Sequence, residues 1–189
     1  MRVAGSANNR DERPSAGPRI HDELPERVVY KSLSGGPSGE NGQPVTLYTS
    51  PVAPEDCGDV SIARTAHLLQ ERVPKRCDAR VTVVGDAFFA VEIHVQHSAR
   101  GSVDWRADYD SHRYQITTVP ESVRASAGAF LSSLGLRFGA FDFVITPDED
   151  WVFLEVNPNG QWAWLQVATG LPISAAIADA LQEGASHVG

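Results

Sequence analysis

The chain has 189 residues, 42% of them hydrophobic and 21% charged, with a formal net charge of −8. That length suffices for one well-buried core or two small lobes of an ordinary globular protein. The acidic balance argues against a nucleic-acid partner, and no apolar run is long enough to span a bilayer. The N-terminus lacks the apolar centre of a signal peptide, so a cytoplasmic location without a membrane partner is expected. The two cysteines, Cys57 and Cys77, form no metal or redox motif, and a disulfide between them is not expected in that compartment.

Residues 1–25 are rich in Gly, Pro, Ser, Asn and charge, and little order is expected there. Residues 28–33 read as a strand that delivers Lys31 toward the glycine-rich stretch 34–42. Such an arrangement can bind phosphate, because glycines let backbone N–H groups approach oxygens and the lysine adds a point charge. Taken alone, a lysine and a glycine-rich turn more often mean a solvated loop, and no Gly-Lys-Ser/Thr closes it as in a Walker A loop. Residues 45–49 read as the next strand and 59–67 as a short helix. The following segment, Leu68-Leu69-Gln70-Glu71-Arg72-Val73-Pro74-Lys75-Arg76-Cys77-Asp78-Ala79-Arg80, carries a cluster of basic residues that alone reads as a solvated edge.

Gly85-Asp86 is a two-residue hairpin turn between strands 81–84 and 88–93. His94 and His97 are three apart, which on a strand sends them to opposite faces, so they are not read as a metal pair. Asp104-Trp105-Arg106 follows a Gly-Ser turn, and residues 113–118 form a strand. Pro120 opens a helix to Leu134 whose apolar stripe is Val123, Ala127, Phe130, Leu131 and Leu134, with Gly135 as its stop. Residues 161–168 and 174–182 read as short helices around Gly170 and Pro172. Trp162 and Trp164 are expected to pack against the sheet rather than line a substrate groove. There is no internal repeat.

The most informative stretch is 138–161, where two apolar, β-rich runs flank Pro147-Asp148-Glu149-Asp150. This reads as a hairpin with a four-residue loop. Thr146 then faces Trp151, and Asp142 lies opposite Glu155. Alternation sends Phe141, Phe143, Ile145, Val152, Leu154 and Val156 to one face, and Asp142, Glu155 and Asn157 to the other. Two carboxylates opposed across an antiparallel pair, with Cβ atoms about 5 Å apart, destabilise a sheet unless a cation joins them. Their all-oxygen set suits a hard ion such as Mg²⁺; a solvated polar face is the alternative.

Phe141-Asp142-Phe143 with Phe153-Leu154-Glu155-Val156-Asn157-Pro158 resembles the metal-binding end of the ATP-grasp superfamily. The wording Leu-Glu-Val-Asn-Pro-Asn-Gly-Gln-Trp is most similar to that of ribosomal-peptide maturases (graspetide or microviridin-type ligases), relatives of the ribosomal S6 glutamate ligases. The resemblance implies that Asp142, Glu155 and Asn157 hold Mg²⁺ on nucleotide phosphates, and that Lys31 contacts phosphate. It implies that Glu71 and Val73, in a hinge between lobes, meet the adenine and ribose of ATP, with Asp78 as a further nucleotide contact. Arg80 and Arg106 would serve the transferring phosphate, an arginine fork suiting an acyl phosphate. Ala107-Asp108-Tyr109 departs from the Ser-Asn that glutamate ligases show here, which implies a different acceptor.

The fold class this implies is α+β, an antiparallel sheet with packed helices. Residues 26–73 would form part of a nucleotide lobe, and 74–189 a C-terminal lobe with the metal site. The implied activity is ATP- and Mg²⁺-dependent ligation of a carboxylate to an amine or hydroxyl of a ribosomally made precursor peptide, through an acyl phosphate. Nothing upstream of Val28 matches the family's N-terminal domain, so the chain reads as N-terminally truncated. The alternative function is therefore a non-catalytic ATP- or peptide-binding remnant, and self-association as a homodimer is left open. A metal-dependent hydrolase is disfavoured, since no histidine-rich site or activated nucleophile pattern is present.

Overall fold

The computed structural model describes residues 28–33, 46–53, 56, 60–95, 98–99 and 101–185, together with the backbone of Arg2 and Val3. The expectations for most of residues 1–25, for the glycine-rich stretch 34–42, and for Cys57 and His97 fall outside these residues. The chain divides into two compact units. One comprises Met1–Val3, Pro74–Gln96 and Ser111–Gly189, and the other Ala4–Val73 and His97–Asp110.

The first unit is built on β5 (Cys77–Val84), every residue of which is buried. It pairs antiparallel with β6 (Ala87–Val95) through the turn at Gly85-Asp86, and with β8 (Phe138–Ile145). β7 (His112–Thr117) extends the sheet beyond β6, and β9 (Trp151–Asn157) beyond β8. A short β1 (Arg2–Val3) lies parallel to β9, giving six strands in the order β1-β9-β8-β5-β6-β7. Helix α1 (Glu121–Ser133) follows β7, while α2 (Ala163–Thr169) and α3 (Ile173–Ala185) follow β9.

Alternation along β5 divides the two faces. Cys77, Ala79, Val81 and Val83 join Phe141, Phe143, Ile145 and Ala90 in a core against Val123, Ala127 and Leu131 of α1. Fully burying a Phe side chain contributes about 1.5–3 kcal/mol, and Phe141 and Phe143 are both at 0% exposure. On the opposite face Val84 and Val91 pack with Leu165 of α2 and Ile173 of α3, flanked by Trp162 and Trp164. The two tryptophans are packing residues, as expected.

The hairpin departs from the sequence expectation in one instructive way. Its loop is five residues, 146–150, closed by Thr146 N–H to Asp150 O at 2.9 Å, so Ile145 rather than Thr146 faces Trp151. That slip by one reverses the expected faces near the loop. Trp151 and Phe153, not Val152 and Leu154, join Phe143 in the aromatic core. A bulge after Phe153 absorbs Leu154 and restores the pairing of Asp142 with Glu155 and of Phe141 with Val156.

In the second unit β2 (Val28–Lys31) lies between β3 (Ser50–Pro51) and β4 (Leu68–Glu71), all antiparallel. The strand expected at 45–49 is thus displaced: 46–49 are irregular, and Thr49 N–H is turned out of the ladder to a side chain, Asp104. The helix expected at 59–67 is a 3-10 helix over Val60–Arg64, after which Leu68 enters the ladder opposite Lys31. In the first unit, Leu134 lies past the end of α1 and is 56% exposed, with its N–H on the Leu131 carbonyl, so it leaves the predicted stripe.

Gly139 lies beneath α1, where a Cβ would come within 2.8 Å of Leu131 Cδ2 and 3.2 Å of Phe141 and Val156. Gly139→Ala is expected to lower stability by about 1–3 kcal/mol, the range for overpacking a core. An unchanged urea midpoint would show that α1 can lift without cost.

Candidate functional site

Three charged side chains form a row across adjacent strands. Arg80 on β5 is paired with Asp142 on β8, which is paired with Glu155 on β9. Asn157 stands two residues further along β9, on the same face. Arg80 Nη1 donates to both oxygens of Asp142 at 2.7 Å, and Nη2 donates to Gln161 O at 3.4 Å. Both partners are buried, at 7% and 8% exposure. The cation that the opposed acids call for is therefore supplied on one side by a guanidinium from the neighbouring strand.

The chain after β9 folds back over this row. Asn157 Oδ1 accepts Asn159 N–H at 2.9 Å and Asn157 O accepts Gly160 N–H at 3.2 Å, which closes the turn. A Cβ on Gly160 would lie 2.5 Å from Ala140 Cβ and 3.3 Å from Arg80 Nη2. Gly160 is thus a site residue that charge-based reading missed, although the Asn-Pro-Asn-Gly wording signals a tight turn. On the same face, Arg80 Nε and Thr82 Oγ1 are buried without a hydrogen-bond partner among the described residues. Asp78, also buried, accepts from Lys75 Nζ at 2.7 Å.

The second unit holds the remaining residues. Lys31 pairs with Leu68 and Glu71 with Val28, so strand alternation places Lys31 and Glu71 on opposite faces of the small sheet. Val73 is half-buried, two residues past the end of β4. Arg106 lies in a 3-10 turn, Trp105–Ala107, capped by Asp104. Its Nε and Nη2 donate to the two Asp104 oxygens at 2.9 and 3.0 Å, so one edge of the guanidinium fork is already engaged.

A further constellation escaped the sequence reading. Potential ligand atoms of Cys77, Glu92 and His94 lie within 4.8 Å of one another. His94 Nε2 is 2.9 Å from Glu92 Oε2, but Arg76 bonds both Glu92 oxygens, at 3.1 and 3.3 Å. Burial pushes the Cys77 thiol up to about 12, so it is protonated at neutral pH and is a poor nucleophile. These contacts satisfy the group as a polar network. Glu92 and His94 are neighbours on one face of β6, and Cys77 joins them only through the pairing of β5 with β6.

No protein-family profile and no curated protein sequence matches the chain. Among solved structures, an ATP-grasp ligase associated with ribosomal-peptide modification from Chryseobacterium gregarium is 27% identical, with a TM-score of 0.76. The match covers 85% of this chain and 49% of that one, which was solved with ADP and a leader and core peptide. The macrocyclase MdnC of Microcystis aeruginosa, bound with its precursor peptide MdnA, is 31% identical over 84% of this chain and 50% of its own, with a TM-score of 0.71. The ligase PsnB, solved with a minimal precursor, Mg and ADP, shares the fold at 20% identity. This architecture is the ATP-grasp α+β fold. The chain's structural neighbours are ATP-grasp ligases associated with ribosomally made peptides. The chain spans about half the length of these solved structures.

Removing Arg80 leaves the buried Asp142 carboxylate without its cation. Arg80→Met is expected to destabilise the first unit by about 3–5 kcal/mol, and Arg80→Met/Asp142→Asn to recover part of that in urea unfolding. Equal midpoints for the single and double variants would refute this account.

A pH dependence follows from two other carboxylates. Burial alone would raise Glu92, but hydrogen bonds and charge from Arg76 hold it below its ordinary 4.5. Asp104 likewise sits below its ordinary 3.8, with burial outweighed by Arg106 and the Thr49 amide. Each group's stabilisation is present above its ordinary value and is lost as pH falls through its depressed folded value. Thermal melts should therefore fall increasingly below pH 4.5, and less steeply in Glu92→Gln.

Proposed function

We propose that the chain provides nucleotide and phosphate contacts for an ATP-dependent ligase acting on a ribosomally made precursor peptide. The observation that carries this reading is the row Arg80–Asp142–Glu155 with Asn157, in a chain 31% identical to MdnC across 84% of its length. In this reading a side-chain carboxylate of the peptide attacks the γ-phosphorus of ATP, giving an acyl phosphate and releasing ADP. A lysine amine or Ser/Thr hydroxyl of the peptide then attacks the acyl carbon. Phosphate leaves, the nucleophile loses its proton, and an amide or ester crosslink remains.

Residues 26–73 serve in this reading as part of the nucleotide lobe, with Lys31 on phosphate and Glu71 and Val73 toward adenine and ribose. Residues 74–189 form the lobe that would hold the metal, with Asp78 as a further nucleotide contact. Arg80 and Arg106 neutralise charge on the transferring phosphate. The donor set of Asp142, Glu155 and Asn157 fits Mg²⁺, since all three offer oxygen, the ligand that hard cations prefer. When bound, Mg²⁺ supplies positive charge to the phosphate oxygens. Arg80 already neutralises Asp142, and the unpartnered Arg80 Nε leaves it capacity for a further acceptor. No side chain need form a covalent bond.

A second reading is a nucleotide- or peptide-binding module without turnover. The two readings part on ADP release. Mg²⁺–ATP at about 100 times Kd should stabilise a true binding site by roughly 2.7 kcal/mol. Adding a small peptide encoded beside the gene should release ADP and remove water from the peptide mass. A melting shift without ADP would leave the binding module, and no shift would sink both readings. Glu155→Gln is expected to weaken Mg²⁺-dependent nucleotide binding by tenfold or more while leaving the melting temperature nearly unchanged; wild-type affinity would remove Glu155 from the site.

A further inference from the structure

Among the described residues of the second unit, the Asp104 carboxylate accepts four hydrogen bonds. Oδ1 accepts the Arg106 backbone N–H at 3.1 Å and Arg106 Nε–H at 2.9 Å. Oδ2 accepts Arg106 Nη2–H at 3.0 Å and the Thr49 backbone N–H at 2.9 Å. A carboxylate offers about four lone-pair sites, and here four donors are bound. The Asp104 side chain is 3% exposed whereas that of Arg106 is 42% exposed. A surface ion pair would expose both partners and hold neither firmly; here the acid is a fixed buried anchor and the guanidinium extends outward from it.

The fourth bond gives the anchor its reach. Thr49 immediately precedes β3, which pairs with β2 so that Ser50 faces Tyr30, the neighbour of Lys31. One carboxylate thus ties the Arg106 turn to the sheet that carries Lys31, across 55 residues of sequence. We infer that Asp104 is a positioning residue, holding the Arg106 guanidinium in a set orientation and tying its turn to the Lys31-bearing sheet for a phosphate-bearing ligand. This rests on the proposed phosphate-facing roles of Lys31 and Arg106. The physical gain is preorganisation: an arginine whose Nε–Nη2 edge is already fixed loses less side-chain freedom when an anion binds.

In Asp104→Asn one acceptor oxygen becomes an NH₂ group facing donors. The expected result is a fall of about 10²-fold in kcat for peptide-dependent ADP formation, with KM for ATP changed less than about threefold. Arg106→Lys keeps the charge on an exposed side chain but cannot bridge both oxygens. It should show a similar kcat loss at nearly wild-type melting temperature, and the double variant should be no worse than either single one. A readout independent of turnover is the Arg106 Nε–H signal in nitrogen-15 NMR. It should be protected from exchange in the wild type, shifted by Mg²⁺–ADP, and lost in Asp104→Asn. The inference is overturned if Asp104→Asn only melts earlier at unchanged kcat, if Arg106→Lys turns over normally, or if ADP leaves the wild-type signal unmoved. A wild-type protein that never forms ADP, yet whose Arg106 signal responds to ADP only with Asp104 intact, would sink the ligase reading and keep this one.

Discussion

A guanidinium gripped between a buried carboxylate and a peptide carbonyl is the constraint on which the first unit's polar face depends. Arg80 and Asp142 stand directly across β5 and β8, and each would be strongly unfavourable if buried without the other. Such a pair is poor evidence for stability in itself, because desolvating two charges offsets most of their attraction. What it does here is hold a charged row inside an otherwise apolar sheet. Gly160 completes the arrangement, since a side chain there would occupy the space of Ala140 and Arg80.

The same strands build two faces of opposite character from one alternation. Beneath α1, the residues of β5, β8 and β9 interlock as an aromatic and aliphatic core, with Phe141, Phe143 and Phe153 in mutual contact. On the other face the apolar contacts of α2 and α3 involve Val84 and Val91, while Asp78, Arg80, Thr82 and Asp142 line the rest. A rigid apolar face thus backs a polar one, so the positions of the charged groups are set by strands and not by loops.

Among the described residues, each unit holds a well-organised arginine–aspartate pair, with the exposures arranged differently. In the first, arginine and acid are both buried; in the second, the acid is buried and the arginine extends outward. Both arrangements hold a guanidinium in a set place.

Much of the site was legible because strand alternation has a period of two. The hairpin around 147–150, the pairing of Asp142 with Glu155 and the placement of Asn157 beside them all follow from counting residues between apolar runs. The same counting failed near the loop, where five residues instead of four turn the chain and Leu154 is taken up in a bulge. Spacing alone does not distinguish these solutions, because two register errors that cancel leave the distal pairs unchanged. The family wording around Asn157 carried the fold, since those residues are local in sequence. Tertiary structure alone decided that Arg80 answers Asp142, that Arg76 satisfies Glu92 beside Cys77 and His94, and that Asp104 reaches Thr49. Those partners lie between 16 and 62 residues apart, and only a folded sheet or a folded-back turn brings their atoms within hydrogen-bonding distance.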